Sequence, residues 1–145
     1  MVKILVKKLS KKIKLPSYKT SGSSGMDLAA YIKKKITIRS GKTAIIPTGI
    51  SVAIPQNYEI QIRPRSGLAA KNGISVLNTP GTIDADYRGE IKIILINLGK
   101  KSFLIKSGDR VAQMILSPIA KGKINEVKNL PKTLRGKGGF GSTGK

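Results

Sequence analysis

Apolar and polar residues alternate in short runs along most of this chain, and their period of two predicts strands. Residues 2–6 predict a first strand, followed by the turn-rich residues 15–25, whose Pro, Ser and Gly disfavour a helix. Residues 26–30 predict a strand in which Asp27 is a lone acid between Met26 and Leu28, needing partners if buried. Ile36-Thr37-Ile38, the pair Ser40-Gly41 and residues 43–46 predict a hairpin, and residues 48–54 continue as strand between two prolines. Alternation in residues 58–63 sets Tyr58, Ile60 and Ile62 on one face. Residues 74–78 and the stretch from Thr82 onward, joined by Thr79-Pro80-Gly81, predict another hairpin. Residues 91–98, 102–106, 110–117 and 123–128 complete roughly ten strands at the spacing of a sandwich or barrel. Residues 105–111 repeat the turn pattern of residues 36–46, a hint of internal duplication. No strand–helix–strand alternation supports a doubly wound α/β fold.

Two stretches break the pattern. Ser66 is a good N-cap for a single helical turn over residues 67–71, which Asn72-Gly73 can end with a positive φ, and this is the one helix predicted. Unpaired N–H groups at its start, with Arg65 alongside, can cradle a phosphate; a plain capped turn is the alternative. After Pro131 the chain reads Leu134-Arg135-Gly136-Lys137-Gly138-Gly139-Phe140-Gly141-Ser142-Thr143-Gly144-Lys145, glycine-rich and without apolar periodicity. The expected organisation is a β-barrel domain over residues 1–130 and a flexible C-terminal lid over residues 131–145. Gly139 to Lys145 has the spacing of a P-loop but not the following Ser/Thr or helix, so that reading is rejected. A lone Phe140 among glycines suits a cover for a nucleobase, with Ser142 and Thr143 hydroxyls closing on phosphate.

Composition narrows the chemistry. The 145 residues suffice for one domain with a real core, built of Ile, Leu, Val and Ala because Trp is absent and Phe occurs twice. No secretory signal opens the chain and no apolar run approaches a membrane span, so a cytoplasmic protein without a membrane partner is expected. The net charge of +21 suggests a polyanionic partner, but the lysines are scattered and no aromatics interleave them, so nucleic acid is not expected as a functional partner. His and Cys are both absent, leaving general-base or nucleophilic work to carboxylates, hydroxyls, Lys or water. Three of the seven acids, Asp84, Asp86 and Glu90, fall within residues 81–90. An extended chain there sets Asp84 and Asp86 on one face, and a positioned Asp is the leading candidate for general-base work; a hairpin whose acids offset nearby Lys and Arg is the alternative.

Five segments then fall into line: Ser24-Gly25-Met26-Asp27-Leu28-Ala29-Ala30; Arg63-Pro64-Arg65-Ser66-Gly67-Leu68-Ala69; Gly81-Thr82-Ile83-Asp84-Ala85-Asp86-Tyr87-Arg88-Gly89; Gly108-Asp109-Arg110-Val111-Ala112-Gln113-Met114-Ile115; and Arg135 through Gly144. They resemble, in order and spacing, the five motifs of the trimeric dUTP pyrophosphatases (dUTPases), with Ser24 where the first motif often has Ala. The resemblance implies an all-β fold, a jelly-roll-like β barrel with one short helix, assembled as a homotrimer with active sites at subunit interfaces. It also implies hydrolysis of dUTP to dUMP and pyrophosphate with Mg²⁺, which supplies dUMP for dTMP synthesis and keeps uracil out of DNA. By that resemblance Asp84 activates the attacking water and binds the 3′-hydroxyl, and Tyr87 packs under the sugar and excludes a 2′-hydroxyl. Asn78, with backbone near Gly73, Thr82, Ile83 and Lys92, reads the uracil edge. Arg65, Ser66, Gly67 and Gln113 hold phosphates; Arg135, Phe140, Gly141, Ser142 and Thr143 close over the nucleotide. No residue ligates the metal directly, and Asp27 reaches it through water. The rival readings are a dCTP deaminase of the same fold, disfavoured by Tyr87 and the Phe140 tail, and a basic nucleic-acid-binding or regulatory relative.

Overall fold

In the computed structural model, which describes residues 1–139, eleven strands and one helix carry the chain. They are β1 (Leu5–Lys8), β2 (Met26–Ala29), β3 (Ile36–Ile38), β4 (Thr43–Pro47), β5 (Ile50–Ala53), β6 (Tyr58–Arg63), α1 (Ser66–Asn72), β7 (Ile74–Val76), β8 (Gly81–Ile83), β9 (Lys92–Asn97), β10 (Phe103–Ile105) and β11 (Arg110–Pro118). The strands form four antiparallel sheets ordered β2-β11-β6-β8, β4-β9-β7, β1-β5 and β10-β3. They do not close into one barrel, and the arrangement is jelly-roll-like and all-β. Among the described residues no helix is long and apolar enough to cross a membrane.

Ile and Leu fill the interior as composition requires: Leu28, Ile38, Ile46, Ile60, Ile93, Leu95 and Met114 are all at most 1% exposed. Their strands alternate as read, with Ile60 and Ile62 of β6 buried and Gln61 only half-buried. Stiff β-branched side chains suit this pleated, half-buried setting. The one buried amide, Asn97, is fully engaged: Nδ2 donates to the carbonyls of Ile38 and Lys101, both at 2.8 Å, and Oδ1 accepts from Gly99 N–H at 2.9 Å. A buried polar group left unpaired there would cost about 1–3 kcal/mol.

Pairing departs from the sequence expectation in three places. β3 and β4 are not partners. The turn between them is bonded to β9, with Gly41 N–H on Asn97 O and Asn97 N–H on Lys42 O, so β3 joins β10 while β4 joins β9. Likewise β7 pairs with β9 and β8 with β6, because the chain crosses between sheets through residues 77–80. Residues 123–128 form no strand: Ile124 is 97% exposed and Val127 57%, and being three apart they share no face of an extended chain. Boundaries shift as well. β1 runs to Lys8 because its ladder with β5 continues to Ile50, and left-handed Gly49 (φ 70°) separates β4 from β5 inside the predicted 48–54 strand. The helix begins one residue early. The carbonyl of Arg65 accepts from Leu68 and Ala69 N–H, so Arg65 takes the cap position and Ser66 caps nothing. Gly73, at φ 68°, ends it as expected.

Candidate active site

The motif residues gather in two clusters on the four-stranded sheet. The first surrounds a cavity of about 230 Å³ lined by Asn78, Thr82, Ile83, Asp84, Tyr87 and Lys92, among others. β8 forms its floor by pairing with β6, Gly81 opposite Ile62. A side chain at Gly81 would meet Asn78 Nδ2 at 3.2 Å and Ile62 Cβ at 3.4 Å, so glycine there lets the Asn78 amide lie over the strand. After Ile83 the strand stops, contrary to the extended reading of residues 81–90. Tyr87 N–H donates to Asp84 O at 3.2 Å, and Arg88 Nη1 donates to the carbonyls of Ala85 and Tyr87 at 2.6 and 2.9 Å, folding the segment into a turn. This turn sets Asp84 at the cavity wall with its side chain exposed. Asp86 lies on the exposed turn and lines no part of the cavity, so Asp84 alone of the two acids reaches it. Tyr87, 43% exposed, is held by its hydroxyl donating to Glu90 O at 3.1 Å.

The second cluster is built on Asp27. Its Oδ1 accepts from Arg65 Nε and its Oδ2 from Arg110 Nη1, both at 3.0 Å, while Arg65 Nη1 donates to Arg110 O at 2.9 Å. Asp27 is only 22% exposed, so these cations are the partners its burial demands. Register brings them together: Gln113 of β11 stands opposite both Asp27 and Arg63. A bulge between Arg110 and Ala112 re-aims Arg110 toward Asp27. Gln113 donates to Pro64 O at 3.0 Å, and its Oε1 would lie 2.5 Å from a Cβ at Gly25, so a side chain there would displace the Gln113 amide. Ser66 and Gly67 are exposed beside Arg65, with open space at Gly67. A larger hollow of about 520 Å³ under residues 12–19 adjoins Asp27 and Arg110 but holds none of the residues around Asp84.

Asp27 lies on the edge strand β2 and Asp84 follows the opposite edge strand β8, three strand spacings or roughly 15 Å away, with Gln113 on β11 and Arg65 after β6 between them. Arg135 lines neither cavity, and its Nε donates locally to Gly138 O at 2.9 Å. Phe140, Gly141, Ser142 and Thr143 lie outside the described residues. Among the described residues there is no group of three or more His, Cys, Asp or Glu that could hold a metal by itself. Sequence reasoning missed Arg110, inside a motif segment, and Glu90, directly after one; their partners are far away in sequence.

A profile of the dUTPase family matches residues 11–144, covering both clusters. The chain belongs to the dUTPase family. Deoxyuridine 5′-triphosphate nucleotidohydrolase of Rickettsia bellii (strain OSU 85-389) is 57% identical over 145 residues, spanning 99% of this chain and 97% of that one. The enzyme of the same name from Rickettsia prowazekii (strain Madrid E) is 54% identical, spanning 99% and 98%. Among solved structures, Staphylococcus bacteriophage 80alpha dUTPase with dUPNHPP superposes with a TM-score of 0.84 at 27% identity, covering 99% of both chains. Residues of the first four motifs lie along one sheet, from Asp27 on β2 through Gln113 on β11 and Arg65 after β6 to Asp84 after β8, while Arg135 stands apart.

Proposed function

We propose that this chain hydrolyses dUTP to dUMP and pyrophosphate, the uracil and sugar lodging in the cavity beside Asp84. The observation that carries the reading is that Asn78, Thr82, Ile83, Asp84, Tyr87 and Lys92 line one cavity of about 230 Å³. Asn78 offers both a donor and an acceptor to a pyrimidine edge, which suits uracil. The Asp84 carboxylate, free to face solvent at the cavity wall, takes a proton from the water that attacks the α-phosphorus. The water oxygen bonds to phosphorus, the bond to the β-phosphate oxygen breaks, and pyrophosphate leaves. Tyr87 stands where its ring meets the sugar, so that a 2′-hydroxyl finds no room.

Arg65, Ser66, Gly67 and Gln113 are the residues we assign to the phosphates, with Arg65 already oriented by Asp27 and the carbonyl of Arg110. Both Asp27 oxygens accept from arginine, so the remaining lone pairs suit a contact through water to Mg²⁺ held by the triphosphate itself. When bound, that ion neutralises charge on the phosphates. Arg135, Phe140, Gly141, Ser142 and Thr143 are assigned to a lid over the nucleotide.

The distance of Asp27 from the cavity, three strands across the sheet, supports a homotrimer in which the cavity of one copy meets the Arg65 cluster of another. A second feature favours assembly. Ile45, 60% exposed, lies opposite Ile94 in the register of β4 and β9, and Leu77, 53% exposed, is bonded to the Ile94 carbonyl. That apolar sheet face would gain by burial against a further copy. Absence of cysteine fits a reducing, cytoplasmic setting. The test is pyrophosphate release with Mg²⁺ across dUTP, dTTP, dCTP and UTP: selective turnover of dUTP is expected, and ammonia from dCTP without pyrophosphate would overturn the reading.

A further inference from the structure

Glu90 lines the same cavity, yet the functional reading above gives it no work. Its surroundings are unusually well determined. Gly49, buried and left-handed at φ 70°, donates its N–H to Glu90 Oε1 at 2.8 Å across 41 residues of sequence. A Cβ on Gly49 would strike the Tyr31 ring and the end of Ile13, so the donor is a glycine packed closely against both. The next residue is pinned on both sides. Thr48 N–H and Oγ1 both donate to Ile91 O, at 3.2 and 2.6 Å, and Ile91 N–H donates to Ile50 O at 2.9 Å. Glu90 is therefore the last fixed point before the exposed turn that carries Asp84 and Tyr87.

The turn comes back to this point. The Tyr87 hydroxyl donates to Glu90 O at 3.1 Å, and the ring lies over Gly89 so closely that a Cβ there would stand 2.5 Å from Tyr87 Cζ. We propose that Glu90 is a specificity-determining positioning residue: its carboxylate fastens the end of the turn to Gly49, and its carbonyl fixes the Tyr87 ring against Gly89. Resting on the assignment of Tyr87 to sugar exclusion, this makes discrimination between deoxyribose and ribose depend on a residue that touches neither sugar. A tyrosine free to swing away from Gly89 would open the space it is meant to fill.

The readout is the ratio of kcat/KM for dUTP to that for UTP, because general loosening of the fold lowers both terms alike. Glu90→Ala orphans the Gly49 N–H and should cut the ratio roughly tenfold, the scale of one hydrogen bond lost from a positioned group. Glu90→Gln keeps an acceptor oxygen for Gly49 and should restore the ratio to within about twofold of wild type. Tyr87→Phe removes the tether from its other end and should reproduce the Glu90→Ala loss. The double variant should be no worse than the more affected single, because both changes release one contact chain. Where Glu90→Ala fails to fold, Tyr87→Phe carries the test at an exposed site. Relaxed selectivity in Tyr87→Ala with an unchanged ratio in Glu90→Ala, or in Tyr87→Phe where it alone is soluble, overturns the positioning role and leaves the Tyr87 assignment standing. An unchanged ratio in Tyr87→Ala itself removes that assignment and this inference with it.

Discussion

Removing the Asp27 carboxylate tests the second cluster most directly, since one residue holds both arginines. In Asp27→Ala, Arg65 loses a 3.0 Å charge-assisted bond at a site where its own side chain is 27% exposed. Such bonds contribute about 1.5–3 kcal/mol. Arg110 loses an equally short bond, but its side chain is 55% exposed and can turn to water, so that pair is worth only about 0.2–1 kcal/mol. The expected total is about 2–4 kcal/mol, or a fall in Tm of roughly 5–15 °C for a chain of this size. Circular-dichroism melts at one fixed protein concentration would measure it, the concentration mattering because assembly contributes to Tm. Double-mutant cycles then apportion the loss: coupling of Asp27 with Arg65 should exceed coupling with Arg110 by about 1 kcal/mol. Turnover should suffer more than stability. An Arg65 no longer aligned by Asp27 should cost roughly 10²-fold in kcat/KM for dUTP, the scale of small misplacements around a reacting group. A melt within about 1 °C of wild type, or equal coupling to the two arginines, would refute the argument from burial.

Asp84→Asn should lower kcat by about 10²–10⁴-fold while dUTP binding measured by calorimetry stays within a few-fold, the loss being that of a general base replaced by an isostere; near wild-type turnover would exclude Asp84 from that role. Truncation after Leu134 should remove most of kcat/KM and leave Tm nearly unchanged, because residues 131–139 bury no side chain in the core; unfolding on truncation would show the segment to be structural. Co-refolding the Asp84→Asn chain with the truncated chain should restore activity that neither has alone, if one copy lends its Asp84 and another its lid. Mixed oligomers confirmed by native mass but still inactive would place base and lid in one subunit.

Strand content was readable because burial and alternation coincide here: Ile60 and Ile62, or Ile93 and Leu95, are buried at every second position. Partnership was not readable by the same means. A period of two says which face is buried and leaves open which neighbour supplies the hydrogen bonds, so both predicted hairpins opened into different sheets. The turn at Arg39 to Lys42 has the glycine expected of a hairpin. Lys42 N–H closes that turn on Arg39 O, yet Gly41 N–H and Lys42 O are committed to Asn97 on another strand, a contact that no local pattern reports.

The site divides along the same line. Asn78, Thr82, Ile83, Asp84 and Tyr87 fall within ten residues, so a single turn leaving one strand suffices to collect them, and their chemistry could be read in place. Arg110 and Glu90 act through partners 83 and 41 residues away, Asp27 and Gly49, and acquire meaning only with the sheet order. In a chain of net charge +21 a half-buried carboxylate has many cations within its reach; composition could not say which it meets. The order β2-β11-β6 decides it. Because β11 lies between the other two, Asp27 on β2 faces Arg110 from the start of β11, and Arg65 reaches it from the end of β6. Two arginines on one acid leave that acid little capacity to ligate a metal directly and leave Arg65 with a fixed direction. The same ion pairs that make the acid tolerable inside the protein therefore also aim the cation that our reading assigns to the phosphates.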